Sequence, residues 1–176
     1  MLILSKSLIN QSVLSLRTSG EIASGTEPIF NPNNLKIEGF YCDDRFEKKR
    51  LILLAQDVRD QIQSGFVVND HEVLAEPSEL VRLEKILQIN FVLLGKPIIT
   101  ANKQRLGKVN DYAVDGETLY VQKLYATPKL IKSFGTGILT IDRNQIVEIT
   151  DRHIVVQDPL KGVRDKAPAA VPSPAG

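Results

Sequence analysis

Short apolar runs separated by polar turns fill most of the chain, and they recur. Leu8–Tyr41 can be laid on Val92–Tyr125 with one residue of slip near Gly20. Both copies open on an apolar run, Val13-Leu14-Ser15-Leu16 and Ile98-Ile99-Thr100-Ala101, followed by a polar turn, Arg17-Thr18-Ser19-Gly20 and Asn102-Lys103-Gln104-Arg105. Ile22-Ala23 and Leu106-Gly107 come next. Two further apolar runs then flank a connector: Ile29-Phe30 and Leu35-Lys36-Ile37 around Asn31-Pro32-Asn33-Asn34, and Ala113-Val114 and Leu119-Tyr120-Val121 around Asp115-Gly116-Glu117-Thr118. Runs this short between turn formers predict strands. Asn-Pro predicts a type I turn and Asp-Gly a type I′ turn with positive φ, so both connectors read as hairpins.

The copies also end alike. Asp57-Val58-Arg59-Asp60 and Asp142-Arg143-Asn144-Gln145 each place a capping residue three before one that can reach back, which predicts a single helical turn. Phe66-Val67-Val68 and Ile154-Val155-Val156 follow as strands. Between the copies, Pro77 to Leu87 predicts one helix, with proline in the first turn and Leu80, Leu83 and Leu87 on a single stripe that must be buried. The tail from Pro159 to Gly176 is rich in proline and alanine without apolar period, which predicts disorder or extended polyproline II.

Leu94-Gly95-Lys96-Pro97-Ile98-Ile99, Leu106-Gly107-Lys108-Val109, and the pair Ile146-Val147-Glu148-Ile149 and His153-Ile154-Val155-Val156 resemble the opening strand, the glycine turn and the closing strands of the PRC-barrel domain. That small β-barrel is shared by the photosynthetic reaction-centre H subunit and the small-subunit ribosome-maturation factor. In the first copy Ile22-Ala23-Ser24-Gly25 departs from the glycine turn. The resemblance implies protein binding and assembly roles, with no common catalytic residues. The expected fold is mainly β: a first PRC-like barrel over residues 1–75, a linking helix over 76–90, a second barrel over 91–158 and a disordered tail over 159–176. Each barrel is expected to own its inward-facing Val, Ile and Leu and to fold as a separable unit.

Composition narrows the function classes. Apolar residues at 43% and charged residues at 24% suit a packed soluble domain. Aromatic residues at 6%, with no tryptophan, leave few platforms for stacking bases or sugars. The single cysteine, Cys42, excludes an intrachain disulfide and a CxxC pair, and points to a reducing, cytoplasmic setting. The opening apolar run Met1–Leu4 is shorter than a signal peptide requires, and no run is long enough for a membrane span. Charge is uneven: residues 1–90 hold 10 Lys and Arg against 13 Asp and Glu, net −3, while residues 91–176 hold 12 against 8, net +4. That asymmetry falls short of a phosphate-backbone footprint, so direct nucleic-acid binding is not expected.

Candidate chemistry is sparse. Cys42-Asp43-Asp44 with His71-Glu72, or Asp151 with His153, offers metal-ligand types, but without the third ligand at diagnostic spacing that a metal site requires, and turn aspartates with a surface histidine are the simpler reading. Cys42 reads as a small buried hydrophobe, since no base and orienting group stand near it in sequence. Gly135-Thr136-Gly137 lacks the lysine and third glycine of a phosphate loop and reads as a loop. The run Arg45-Phe46-Glu47-Lys48-Lys49-Arg50 carries an aromatic among cations but is interleaved with acids, and reads as a self-neutralised surface. Lys96, Lys103, Arg105 and Lys108 form the cleaner basic cluster and are the expected partner-binding residues. The chain is therefore expected to be a cofactor-free, non-catalytic adaptor that binds another protein, with a ribosome-maturation or RNA-associated factor binding a ribosomal protein as the alternative.

Overall fold

The computed structural model describes residues 1–128 and 137–159 of the chain. The fold is mainly β, built from two curled half-barrel sheets. The first comprises β2 (Gln11–Ser15), β3 (Glu21–Phe30), β4 (Ile37–Asp44), β5 (Arg50–Leu54), β6 (Val58–Ile62), β7 (Gly65–Val68) and β8 (Leu74–Ala75), in the order β6-β7-β2-β3-β4-β5-β8. The second comprises β9 (Pro97–Thr100), β10 (Arg105–Asp115), β11 (Val121–Pro128), β12 (Leu139–Asp142), β13 (Ile146–Ile149) and β14 (Ile154–Val156), in the order β13-β14-β9-β10-β11-β12. Apart from β8, which has no counterpart in the order of the second, the two orders are the same, including the single parallel contact, β2 with β7 and β9 with β14.

The likeness extends to irregularities. Register shifts between Gly25 and Glu27 and between Ile29 and Phe30 on β3 recur between Val109 and Asp111 and between Ala113 and Val114 on β10. The left-handed residues Asn10, Ser19 and Leu35 recur as Gly95, Lys103 and Leu119. Bulges bend a strand and increase its twist, so bulges at matching places curl both sheets alike. Repetition of these features is stronger than repetition of apolar residues, which any strand shows.

The halves pair reciprocally. Ile37 N–H donates to Leu119 O at 2.9 Å and Val121 N–H to Leu35 O at 3.0 Å, with Lys36 and Tyr120 opposed between them. This is the arrangement of a two-fold interface, made within one chain. Arg143 seals it on one side, donating to Val121 O at 2.9 Å and to Asn34 O at 2.8 Å while stacking 4.8 Å over the Tyr120 ring. Removing the guanidinium in Arg143→Ala leaves two part-buried carbonyls without it. Thermal unfolding should show a loss of about 2 kcal/mol, and Arg143→Lys should restore little, because one ammonium does not reproduce the planar fork.

The apolar core is continuous across both halves, running from Leu8, Phe40 and Phe66 to Ile98, Tyr112 and Leu124. The long β10 carries β11 along one edge; along the other it carries β9 and then β1 (Leu2–Leu4). The extreme N-terminus thus belongs to the second sheet, and its carbonyl at Met1 accepts from Gly116 N–H at 2.9 Å. Among the described residues no strand takes the matching place on β3 beyond Gly25, where the short helix α1 (Glu84–Ile89) packs.

Local expectations were met unevenly. The linking helix is broken: a 3-10 turn at Pro77–Glu79, closed by the Glu76/Glu79 capping box, stops at Leu80 with ψ 65, a second turn covers Val81–Leu83, and only then does α1 begin. Leu80, Leu83 and Leu87 are half-buried rather than buried. The Asp-Gly turn is also different. Gly116 does not take positive φ; Leu119 does, at φ 58, closing a wider loop through Leu119 N–H to Asp115 O, while the Asp115 carboxylate accepts from Glu117, Thr118 and the Thr118 hydroxyl. The helical turn expected at Asp142 has its capping box with Gln145, but its counterpart lies at Ala55–Asp57, so Asp57 ends that turn rather than starting it. Among the described residues no helix is long and apolar enough to cross a membrane. The tail beyond Pro159, and Gly135 and Thr136, lie outside the described residues.

Candidate binding surfaces

The four basic residues singled out in the sequence lie on one hairpin, β9 with β10, but at its two ends. Lys96 precedes β9 and Lys108 faces Pro97 across the ladder; Lys103 occupies the turn in left-handed geometry and Arg105 opens β10 opposite Ile99. Lys103, Arg105 and Lys108 are exposed. Lys96 is already engaged: its ammonium donates to Asp151 O at 2.7 Å and stands 4.3 Å over the Phe91 ring. Partial burial lowers its pKa, opposed by the nearby Asp151 carboxylate. Lys96 therefore pins the segment before β9 onto the second sheet, and three of the four cations remain presented to solvent.

Two concave features stand out, and neither had a signature in the sequence because each is assembled from distant segments. The first is a groove of about 930 Å³ lined by β1, by β6 and by the Gly116–Leu119 loop. Among the described residues β1 pairs only with β10 and β6 only with β7, so each has one edge without a described strand beside it. Leu2 and Ile62, 47% and 43% exposed, put apolar side chains on these two strands. The second is a cavity of about 410 Å³ between β3, the end of α1, the Asn90–Leu94 segment and Tyr112 of β10. It sits where the half-barrels meet, beside the stretch of β3 that lacks the strand its counterpart on β10 possesses.

The residues considered for chemistry are brought together in part. Asp44 is buried and accepts from His71 Nε2–H at 2.7 Å and from Glu47 N–H at 2.7 Å, while Phe46 sits edge-on to the imidazole. Burial pushes the Asp44 carboxyl up, but the hydrogen bonds from Glu47 and His71 outweigh it and hold the pKa below the ordinary value. The Asp70 carboxylate caps the next turn through His71 N–H at 2.7 Å and pairs with Arg17 at 2.5 Å. These contacts fasten the end of β7 to the end of β4. No third ligand joins them, and among the described residues no group of three His, Cys, Asp or Glu side chains is placed to hold a metal. His153 lies instead in a turn on the second sheet, where its backbone N–H donates to Thr150 Oγ1.

Cys42 is fully buried, and burial pushes its thiol up to about 12, so at neutral pH it is not a thiolate nucleophile. The basic run after β4 is self-neutralised: Arg45 faces Glu21, Lys49 faces Glu47 and Glu76, and Arg50 pairs with Glu27 while stacking over Tyr41. No family model and no curated protein matches this chain. Its own geometry therefore carries the functional argument.

Proposed function

We propose that the chain is a non-catalytic, tandem PRC-barrel-like adaptor whose groove between β1 and β6 takes an extended segment of a partner protein. The observation that carries this reading is the groove itself: two strands whose outer edges are unpaired among the described residues, with exposed apolar side chains, line one concave surface, and neither contains proline. Unpaired strand edges offer main-chain donors and acceptors to an added strand, and alternate side chains supply the selectivity. The exposed Lys103, Arg105 and Lys108 on a separate hairpin suit steering of an acidic region of the same partner. The repeated topology supports the tandem reading.

Affinity capture from native lysate with mass spectrometry identifies the partner, and purified partner is then titrated against variants. The double variant Leu2→Lys/Ile62→Lys, which places on both strands the charges that natural edges use against strand addition, should weaken binding at least tenfold with its fold intact by circular dichroism. Hydrogen exchange should show new protection in β1 and β6. Charge reversal at Lys103, Arg105 and Lys108 should slow association more at low salt than at high salt. Unchanged affinity in a folded groove variant overturns the proposal. So does loss of a cellular activity in a folded Cys42→Ala/His71→Ala/His153→Ala variant that still captures the partner.

A further inference from the structure

Because the two sheets share an order of strands, one can be compared with the other place by place, and one face differs in charge. In the second sheet Lys108 pairs with Pro97 and Arg105 with Ile99, while Leu106, Gly107 and Ile98 are buried. Both cations therefore stand on the outer face of the β9–β10 hairpin. Lys103 lies in the loop at the Ile99 end, and Arg152 in the bend leading into β14, which Lys96 holds to the Pro97 end through Asp151 O. All four are exposed, and none makes an ion pair among the described residues.

The matching places in the first sheet hold Ser19, Glu21, Ser24 and Ser64. Glu21 pairs with Leu14 as Arg105 does with Ile99, and Ser24 with Ser12 as Lys108 does with Pro97. Ser19 and Lys103 are both left-handed. Ser64 stands two before Phe66, which pairs with Val13, as Arg152 stands two before Ile154, which pairs with Ile98. Four cations thus face one acid, and that acid is already paired with Arg45. One topology carries both sets, so folding does not demand the cations. Like charges gathered without counter-charges repel one another, and a face that keeps them suits an anionic partner. We propose that the outer face of β14, β9 and β10 binds an extended acidic segment, whose carboxylates at alternate positions meet Arg105 and Lys108. This rests on the adaptor reading and makes a patch that steers into a second contact site for the same partner.

Spacing and lining select that class. The Ile99 and Pro97 rows are two residues apart, about 6.6 Å along a strand, and an extended peptide presents its same-side residues at that interval. Lys103 and Arg152 continue the row at its two ends. Pro97 and Ile99, half-buried between the cations, give an apolar floor rather than rings on which bases stack, which favours a peptide over a nucleic acid. Of the acids in neighbouring segments, Asp151 lies near Lys96, Asp111 accepts from the Ser5 hydroxyl, and Glu148 on β13 is opposite Val155, one strand beyond β14.

The test titrates the full chain, by fluorescence anisotropy at low salt, into three labelled probes: a decapeptide of alternating Glu and Ser, a decapeptide of the same composition with its glutamates contiguous, and a single-stranded RNA decamer. Wild type should bind the alternating peptide about threefold or more tightly than either other probe. Lys103→Ser/Arg105→Glu/Lys108→Ser/Arg152→Ser, which installs residues this topology already accepts in the first sheet, should bind it at least about tenfold more weakly, with an unchanged circular dichroism spectrum. Lys48→Glu/Arg82→Ser/Lys85→Glu removes the same net charge from exposed places in the first half and should stay within about twofold of wild type. Absence of binding by wild type, equal affinity for the two peptides, tighter binding of RNA, or equal losses in the two variants overturns the proposal. The groove variant Leu2→Lys/Ile62→Lys should bind the alternating peptide as wild type does, so a failure of the groove and a failure of this face are read separately.

Discussion

A Gly65→Ala variant is expected to lose about 3 kcal/mol or more of stability and about 10 °C in melting temperature, at roughly 2–4 °C per kcal/mol for a chain of this size. Gly65 has φ +149, and a Cβ there would stand 2.0 Å from the backbone oxygen of Ser12, its partner in the parallel register of β2 with β7. Neither strand can give way cheaply. Val13 and Phe66, the next pair along, are fully or almost fully buried, so parting the strands opens the core of the first half-barrel. Gly95→Ala is the control: φ is +80, but nothing lies within 4 Å of the added carbon, so only the conformational term of about 1 kcal/mol applies. Differential scanning calorimetry of the two variants separates strain from collision. Equal, small losses for both would mean that β2 and β7 are not clamped at Ser12.

Asp44→Asn should lose about 2 kcal/mol at neutral pH, because it removes the charge from two short hydrogen bonds at a buried site. The pH dependence follows from the direction of the shift. The folded-state pKa of Asp44 lies below its unfolded value, so the contribution is complete above the ordinary carboxyl range near about pH 4 and disappears as pH falls through the folded value. Melting temperature measured from pH 7 down to pH 2 should therefore show wild type and Asp44→Asn converging at the acid end. His71→Ala should fall between them at neutral pH, since Glu47 N–H still serves the carboxylate. Parallel curves for wild type and Asp44→Asn would show that the pair does not fasten β7 to β4.

Both predictions concern positions that the sequence marks only weakly. Asp44 and His71 were legible as an acid and a base of metal-ligand type, but 27 residues separate them, and only the curl of the first sheet brings the ends of β4 and β7 together. Once paired they satisfy each other, which is why the arrangement is a structural clasp rather than an open ligand set. The basic residues show the same limit. Lys96, Lys103, Arg105 and Lys108 fall close in sequence and do share a hairpin, but the pleat and a neighbouring aromatic ring decide which remain presented, and Phe91 with Asp151 takes Lys96 out of the set.

The strand-rich class and the recurrence of its short runs were readable from the chain, because alternation and turn chemistry are local: a run such as Leu35-Lys36-Ile37 has few other ways to bury its apolar face, and its partner Leu119-Tyr120-Val121 is placed by the same rules. Residues 35–37 and 119–121 pairing with each other, β1 crossing to the second sheet, and the helix breaking at Leu80 were not readable. They depend on which edges remain open once both sheets have curled. The groove and the cavity belong to that second group. Each exists because two copies of one topology are finished differently, one with a strand and one with a short helix, and that difference acts through space between segments that share no pattern.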